Sequence, residues 1–131
     1  MGMADKPLVQ IGPMTAATGK KVDKVLSKIA LKEMQKAAKS AFKKKFTPVE
    51  KTSVKQGFHY SAKLLECYVD GANVKVKVKC TAYRLEKMKP MIQAETGAAA
   101  TGKPEVAVGD AIWGTLEANI KSVVPKLLNL K

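Results

Sequence analysis

Side chains with the chemistry for catalysis or metal binding are few: one histidine, His59, and two cysteines, Cys67 and Cys80. No serine, cysteine or carboxylate stands at a recognised motif spacing from His59, so neither a nucleophile and base nor a general acid and base is indicated. A structural or solvent-facing histidine is expected, and the chain reads as no enzyme. Cys67 and Cys80 fall on one strand face but about four residues out of register, too far apart to bridge. They should be small core residues. With one histidine and no close group of Cys, Asp or Glu, neither a metal nor any other cofactor is expected.

Lysine is what the chain has in quantity. Its 24 basic residues against 11 acidic ones give a net charge of +13, which draws a protein toward nucleic acid, acidic protein surfaces and anionic headgroups. Arg84 is the only arginine. Base-edge reading and bidentate phosphate clamping favour the guanidinium fork, so non-specific attraction is the form of polyanion binding that such a composition allows. Two lysine sets are candidate contacts. Lys24, Lys28 and Lys32 share the polar side of a helical stretch, and Lys75, Lys77 and Lys79 alternate along a strand with Tyr68 on the facing one. A basic sheet face with an aromatic ring resembles the platforms that bind single-stranded nucleic acid.

The elements that carry these residues follow from periodicity. Leu8 to Ile11, between Pro7 and Pro13, reads as a short edge strand. Met14 to Gly19 reads as a connector whose Thr18 caps the next element. From Lys20 to Lys45 the apolar residues Val22, Val25, Leu26, Ile29, Ala30, Met34, Ala37 and Ala41 recur every three or four positions, which predicts one amphipathic helix. Thr47 to Gln56 is a polar connection. Two long strands, Gly57 to Val69 and Val74 to about Leu85, flank Asp70-Gly71-Ala72-Asn73, a hairpin turn by composition.

Closing that hairpin pairs Val69 with Val74, Cys67 with Val76 and Leu65 with Val78 on a core face. The same register then buries His59, Ser61 and Lys63 while exposing Phe58, Tyr60 and Tyr83. A β-bulge or a strong bend near Ser61 to Leu64 is predicted, because one extra residue exchanges the two faces. Met91 to Thr96 predicts a fourth strand, and Gly97 to Lys103 a flexible loop whose spacing matches no phosphate-binding fingerprint. Pro104 opens a last helix with Ile112, Trp113, Leu116, Ile120, Val123, Val124 and Leu127 inward, and Pro125 should kink or stop it.

This pattern predicts a single domain over residues 1–131, with residues 1–6 as a flexible tail. The fold class is α+β in two layers: an antiparallel sheet of three to four strands, both helices on one face, in the order β-α-β-β-(β)-α. Trp113 and Ile29 should join Leu65, Val76 and Val78 in the core. No run reaches the roughly 18 to 20 apolar residues that span a bilayer.

Three stretches resemble the small accessory domains of the bacterial cell envelope, the group around penicillin-binding-protein activator lipoproteins and the curli secretion lipoprotein. They are Val9-Gln10-Ile11-Gly12-Pro13, then Val76-Lys77-Val78-Lys79-Cys80, then the small residues from Ala94 to Gly102 leading into Gly109-Asp110-Ala111-Ile112. The resemblance implies a non-catalytic module that binds a protein or polymer partner, in the periplasm or envelope if a leader precedes the chain and in the cytoplasm otherwise. It transfers no site residue. The order from Lys20 onward is also similar to that of double-stranded RNA-binding domains, but Pro104 to Asp110 is acidic where those carry lysines.

Overall fold

A computed structural model describes residues 6–49 and 56–130. Seven elements follow in order: β1 (Leu8–Ala16), α1 (Lys24–Phe42), β2 (Thr47–Val49), β3 (Phe58–Asp70), β4 (Asn73–Arg84), β5 (Lys87–Thr101) and α2 (Pro104–Leu128). The strands form one five-stranded mixed sheet, ordered β2-β1-β3-β4-β5, and both helices cover the same face. The α+β class and the single covered face are as predicted, whereas the all-antiparallel sheet of three to four strands is not. The helical crossover through α1 returns the chain to the end from which β1 started. Both β2 and β3 therefore pair with β1 in parallel.

The predicted edge strand is consequently an inner one. β1 tolerates Pro13 because the β1–β3 register shifts between Ile11 and Met14, so the missing N–H falls where the ladder is already interrupted. Met14 to Ala16 continue the strand and are no connector. The helix cap is Asp23, not Thr18: its Oδ1 accepts a 2.9 Å bond from the Leu26 N–H. Of the expected N-terminal tail, Lys6 alone lies within the described residues, and its Nζ donates to the Lys43 carbonyl at 2.8 Å. Most of the polar connection after β2 lies outside them.

The hairpin closes as expected. Val69 pairs with Val74 and Cys67 with Val76, and Gly71, at φ 63°, supplies the positive φ of a two-residue loop. The predicted bulge exists one position beyond the predicted range. Leu64 faces Val78 and Glu66 faces Lys77, so Leu65 is the extra residue. Leu65 is thereby only half-buried, while Leu64, Ala62, Tyr60 and Phe58 turn inward and His59, Ser61 and Lys63 turn out. Tyr83 goes out with His59, its cross-strand partner. Val69, at the turn, is 48% exposed.

The flexible loop expected at 97–103 is instead strand as far as Thr101. Asn73 to Lys77 of β4 pair with Thr101 to Gly97 of β5 in unbroken register. The small side chains explain this: Ala94, Ala98 and Ala100 pack against the core beneath α2, where larger residues would hold the helix off the sheet. Pro90 is accommodated because β5 is an edge strand. α2 does not stop at Pro125 but continues to Leu128.

The interior combines the inner sheet face with Leu26, Ala30, Met34, Ala37, Ala38 and Phe42 of α1 and Val108, Ile112, Leu116, Ile120, Val123 and Leu127 of α2. Ile29 is only partly buried and Trp113 is 38% exposed, so neither sits where the sequence pattern put it. One polar network runs through this core. The Tyr60 hydroxyl donates to Asn119 Oδ1 at 2.8 Å, and Asn119 Nδ2 donates to the Ala94 carbonyl at 3.2 Å. Thr115 Oγ1 and Thr96 Oγ1 are 2.8 Å apart beside it. Asn119→Ala leaves the Tyr60 hydroxyl and the Ala94 carbonyl without these partners, at a cost of about 1–3 kcal/mol. Urea denaturation of the variant should show that loss, and an unchanged midpoint would remove the network from the stabilising interactions.

Candidate functional site

With α1 and α2 on one face, the other face of the sheet is left to solvent or to a partner. Cross-strand pairing arranges its side chains in rows. Gln10, His59 and Tyr83 make one row, Ser61, Thr81 and Gln93 the next, and Thr15, Lys63, Lys79 and Glu95 a third. Beyond the Leu65 bulge, Glu66 and Lys77 form a fourth row, and Tyr68 and Lys75 a fifth.

The first row is tightly built. The His59 ring stacks on Tyr83 with centroids 4.9 Å apart and planes 26° apart. His59 Nδ1 lies 3.1 Å from Gln10 Oε1, to which it can donate, and Gln10 is 5% exposed. Gly12 makes room beside the ring: a Cβ there would fall 2.5 Å from His59 Cε1. Glycine on β1 therefore allows the imidazole to lie flat against the sheet.

Burial holds the His59 pKa below its ordinary value of 6.5. As pH falls, the unfolded chain takes up the proton first, so this contribution to stability is full above about pH 6.5 and is lost as pH falls through the lower folded-state value. Thermal melts from about pH 7.5 to about pH 5.5 should show a larger decline for the parent than for His59→Gln. Equal declines would assign the pH dependence to other groups.

Lys75 and Lys77 of this face are matched by acids, whereas Lys63 and Lys79 are exposed with no ion pair among the described residues. Lys75 Nζ is 2.9 Å from Asp70 Oδ2, and that carboxylate raises the lysine's pKa. Lys77 and Lys21 lie 4.0 and 3.9 Å from Glu66 Oε2. Lys21 also stands over the Tyr68 ring, 5.8 Å from its centroid, where a stacked base would have to lie. Arg84 is engaged as well: it binds Glu86 at 2.9 Å and the Leu130 carbonyl at 3.0 Å, and Glu86 accepts from the Gly57 N–H at 2.8 Å.

Lys24, Lys28 and Lys32 are exposed on the outer side of α1, across the molecule from the sheet face. The seven candidate polyanion contacts thus form no single site. Four are together on the sheet, where Lys75 and Lys77 are ion-paired and Tyr68 is covered, and three are on the far side. The sequence reading missed Gln10, Gly12, His59 and Tyr83 as a unit. The signal was the face conflict at His59 to Lys63, since an extra residue after Leu64 turns His59 out onto the face where Tyr83 already lies.

The thiols are buried on the inner face, Cys80 opposite Ala62 and Cys67 opposite Val76, and both are free. Burial, with Asp23 nearby, pushes the Cys67 pKa up to about 11, and burial raises that of Cys80. Neither is a poised nucleophile. Among the described residues no group of three or more His, Cys, Asp or Glu is placed to hold a metal ion, and no helix is long and apolar enough to cross a membrane.

The chain is therefore a two-layer α+β protein with one open sheet face. No family model matches its sequence, and no curated protein does. Solved structures do share the fold. The hypothetical protein CT253 from Chlamydia trachomatis superposes with a TM-score of 0.64 at 11% identity, over 90% of this chain and 95% of that one. The PelC dodecamer from Paraburkholderia phytofirmans gives 0.58 at 11% identity, over 92% and 89%. Lipoprotein GNA1162 from Neisseria meningitidis gives 0.55 at 8% identity, over 95% and 99%. At such identities the likeness is one of fold.

Proposed function

We propose that this chain is a non-catalytic assembly module of the bacterial cell envelope, docking through the helix-free face of its sheet. The observation that carries this is the constructed first row of that face. An ordinary solvated strand surface does not need a nearly buried glutamine, a stacked imidazole and a glycine that makes space for the ring. Such a rigid, flat patch loses little side-chain freedom when a partner covers it. The setting is supported by the fold's occurrence in a lipoprotein and in a dodecamer.

A second copy of this chain is the partner that best fits. On the sheet face Lys75 and Lys77 are paired with Asp70 and Glu66, and Glu95 stands beside Lys79 in the third row, so the +13 of the whole chain is partly offset there. Light scattering over a wide range of protein concentration should show an oligomer that strengthens with salt, as residual like-charge repulsion is screened. Thr81→Arg, in the neutral second row, should dissociate it without loss of helical circular dichroism. A monomer under all conditions overturns self-docking.

A second reading, non-specific binding of RNA or DNA, is favoured by one observation. Lys24, Lys28 and Lys32 have no carboxylate at ion-pair distance among the described residues. Its salt dependence is opposite: a mobility shift at low salt that weakens steeply as salt rises. No shift at low salt excludes it.

A further inference from the structure

Away from the sheet, the two helices part and leave a groove of about 530 Å³. Its wall residues include Ala37 and Ala41 of α1 and Ile120 and Val124 of α2, while Lys44, Lys45 and Lys121 stand around it with Glu117 as the one acid. Trp113 also lines it, and its Nε1 donates to Glu33 Oε1 at 3.0 Å, which fixes the half-exposed indole in place. None of the three lysines has an ion-pair partner among the described residues. Pro125, also at the groove, cannot donate to the Lys121 carbonyl, so that acceptor lacks its usual intrahelical donor.

We infer that this groove docks an acidic amphipathic helix of another protein. The small alanines let a third backbone approach closely, and the fixed indole is the kind of aromatic anchor around which such interfaces form. From Trp113 to Pro125 the groove follows about 18 Å of α2, the length of roughly three helical turns. The uncompensated lysines select the sign of the occupant. A second copy fits less well: its acids Glu105, Asp110 and Glu117 stand on α2, whose apolar side is already buried in its own core, so it has no free amphipathic helix to lay into the groove. An acyl chain fits less well than a helix. The groove is open along one side, where a lipid tail would stay wet while a helix brings its own polar back. This surface is separate from the sheet face and does not depend on the function proposed for it.

Trp113 is the only tryptophan, so its fluorescence reports on the groove directly. The probe is a synthetic helical peptide with leucine at i, i+4, i+7 and i+11 and glutamate on the flanking positions. Its control has lysine in place of every glutamate. The acidic peptide should shift the Trp113 emission saturably, and the lysine peptide should bind at least about tenfold more weakly, the sum of three exposed ion pairs. The triple variant Lys44→Glu, Lys45→Glu, Lys121→Glu changes only exposed side chains and should invert that preference, while Thr81→Arg on the sheet should leave it unchanged. Absence of a shift, equal response to both peptides, or a saturable response to dodecyl phosphate alone would each overturn the proposal, the last assigning the groove to an anionic lipid.

Discussion

Phe42→Ala should lower the free energy of unfolding by about 3–5 kcal/mol, the upper range for a single core substitution. Phe42 is fully buried at the last residue of α1, with ring centroids 5.2 Å from Phe46 and 5.0 Å from Tyr60, both edge to face. Phe46 in turn meets Phe58 at 5.6 Å. These four rings join the end of α1, the segment leading to β2, and the start of β3. Removing the central one leaves a cavity that neighbours on three elements would have to move together to fill. It also removes two aromatic pairs, each worth about 0.5–1.5 kcal/mol beyond its buried area. A loss on this scale is a large part of the roughly 5–15 kcal/mol that holds an ordinary domain together. Urea denaturation measures it directly, and a loss below about 1 kcal/mol would mean that the cluster is not a structural centre.

Ile120→Ala and Trp113→Ala, seven residues apart on one helix, should differ sharply. Ile120 is 1% exposed and borders the sheet-facing core, so truncation should cost about 2–5 kcal/mol. Trp113 is 38% exposed and its polar contact, to Glu33, lies at the surface, so its loss should cost about 1 kcal/mol or less. Thermal melts of the two variants decide the matter. A larger drop for Trp113→Ala would return the indole to the core, where the helical periodicity alone had placed it. The same variant removes the proposed groove's anchor, so a well-folded Trp113→Ala also makes a binding control, read by calorimetry because the only tryptophan is then gone.

Phe42 and Trp113 show how far periodicity reads. The apolar stripe of α1 was traced through Val25 and Ile29, yet the buried side lies further round the helix, through Ser27, Ala38 and Phe42, and Val25 is 67% exposed. A helix with alanine on several sides has a broad apolar sector, and only the sheet it meets selects the centre of that sector. Asn119 and Thr115 were invisible for a related reason. Polar residues interrupt a hydrophobic pattern, and their burial becomes reasonable only when Tyr60 and Thr96, distant in sequence, supply the partners.

The hairpin was more legible because its constraints are local. Asp70-Gly71-Ala72-Asn73 names the turn, the turn sets the register, and a register that buries Lys63 requires a bulge. The irregularity lies within one residue of that expectation, and His59 stands outside as it requires. The hairpin alone could not reveal the His59 cluster, since Gln10 and Gly12 come from β1, whose place beside β3 results from a crossover.

Sequence by itself determined the α+β class, both helices, the hairpin, its bulge and the excess of lysine. Tertiary structure alone decided that β1 is an inner strand, that Gly97 to Thr101 is strand, that Trp113 faces a groove, and that Lys75 and Lys77 of the sheet are matched by acids. The physical reason is common to all four. Local periodicity records which side of an element avoids water, whereas the neighbour that covers that side is chosen by contacts between residues far apart in the chain.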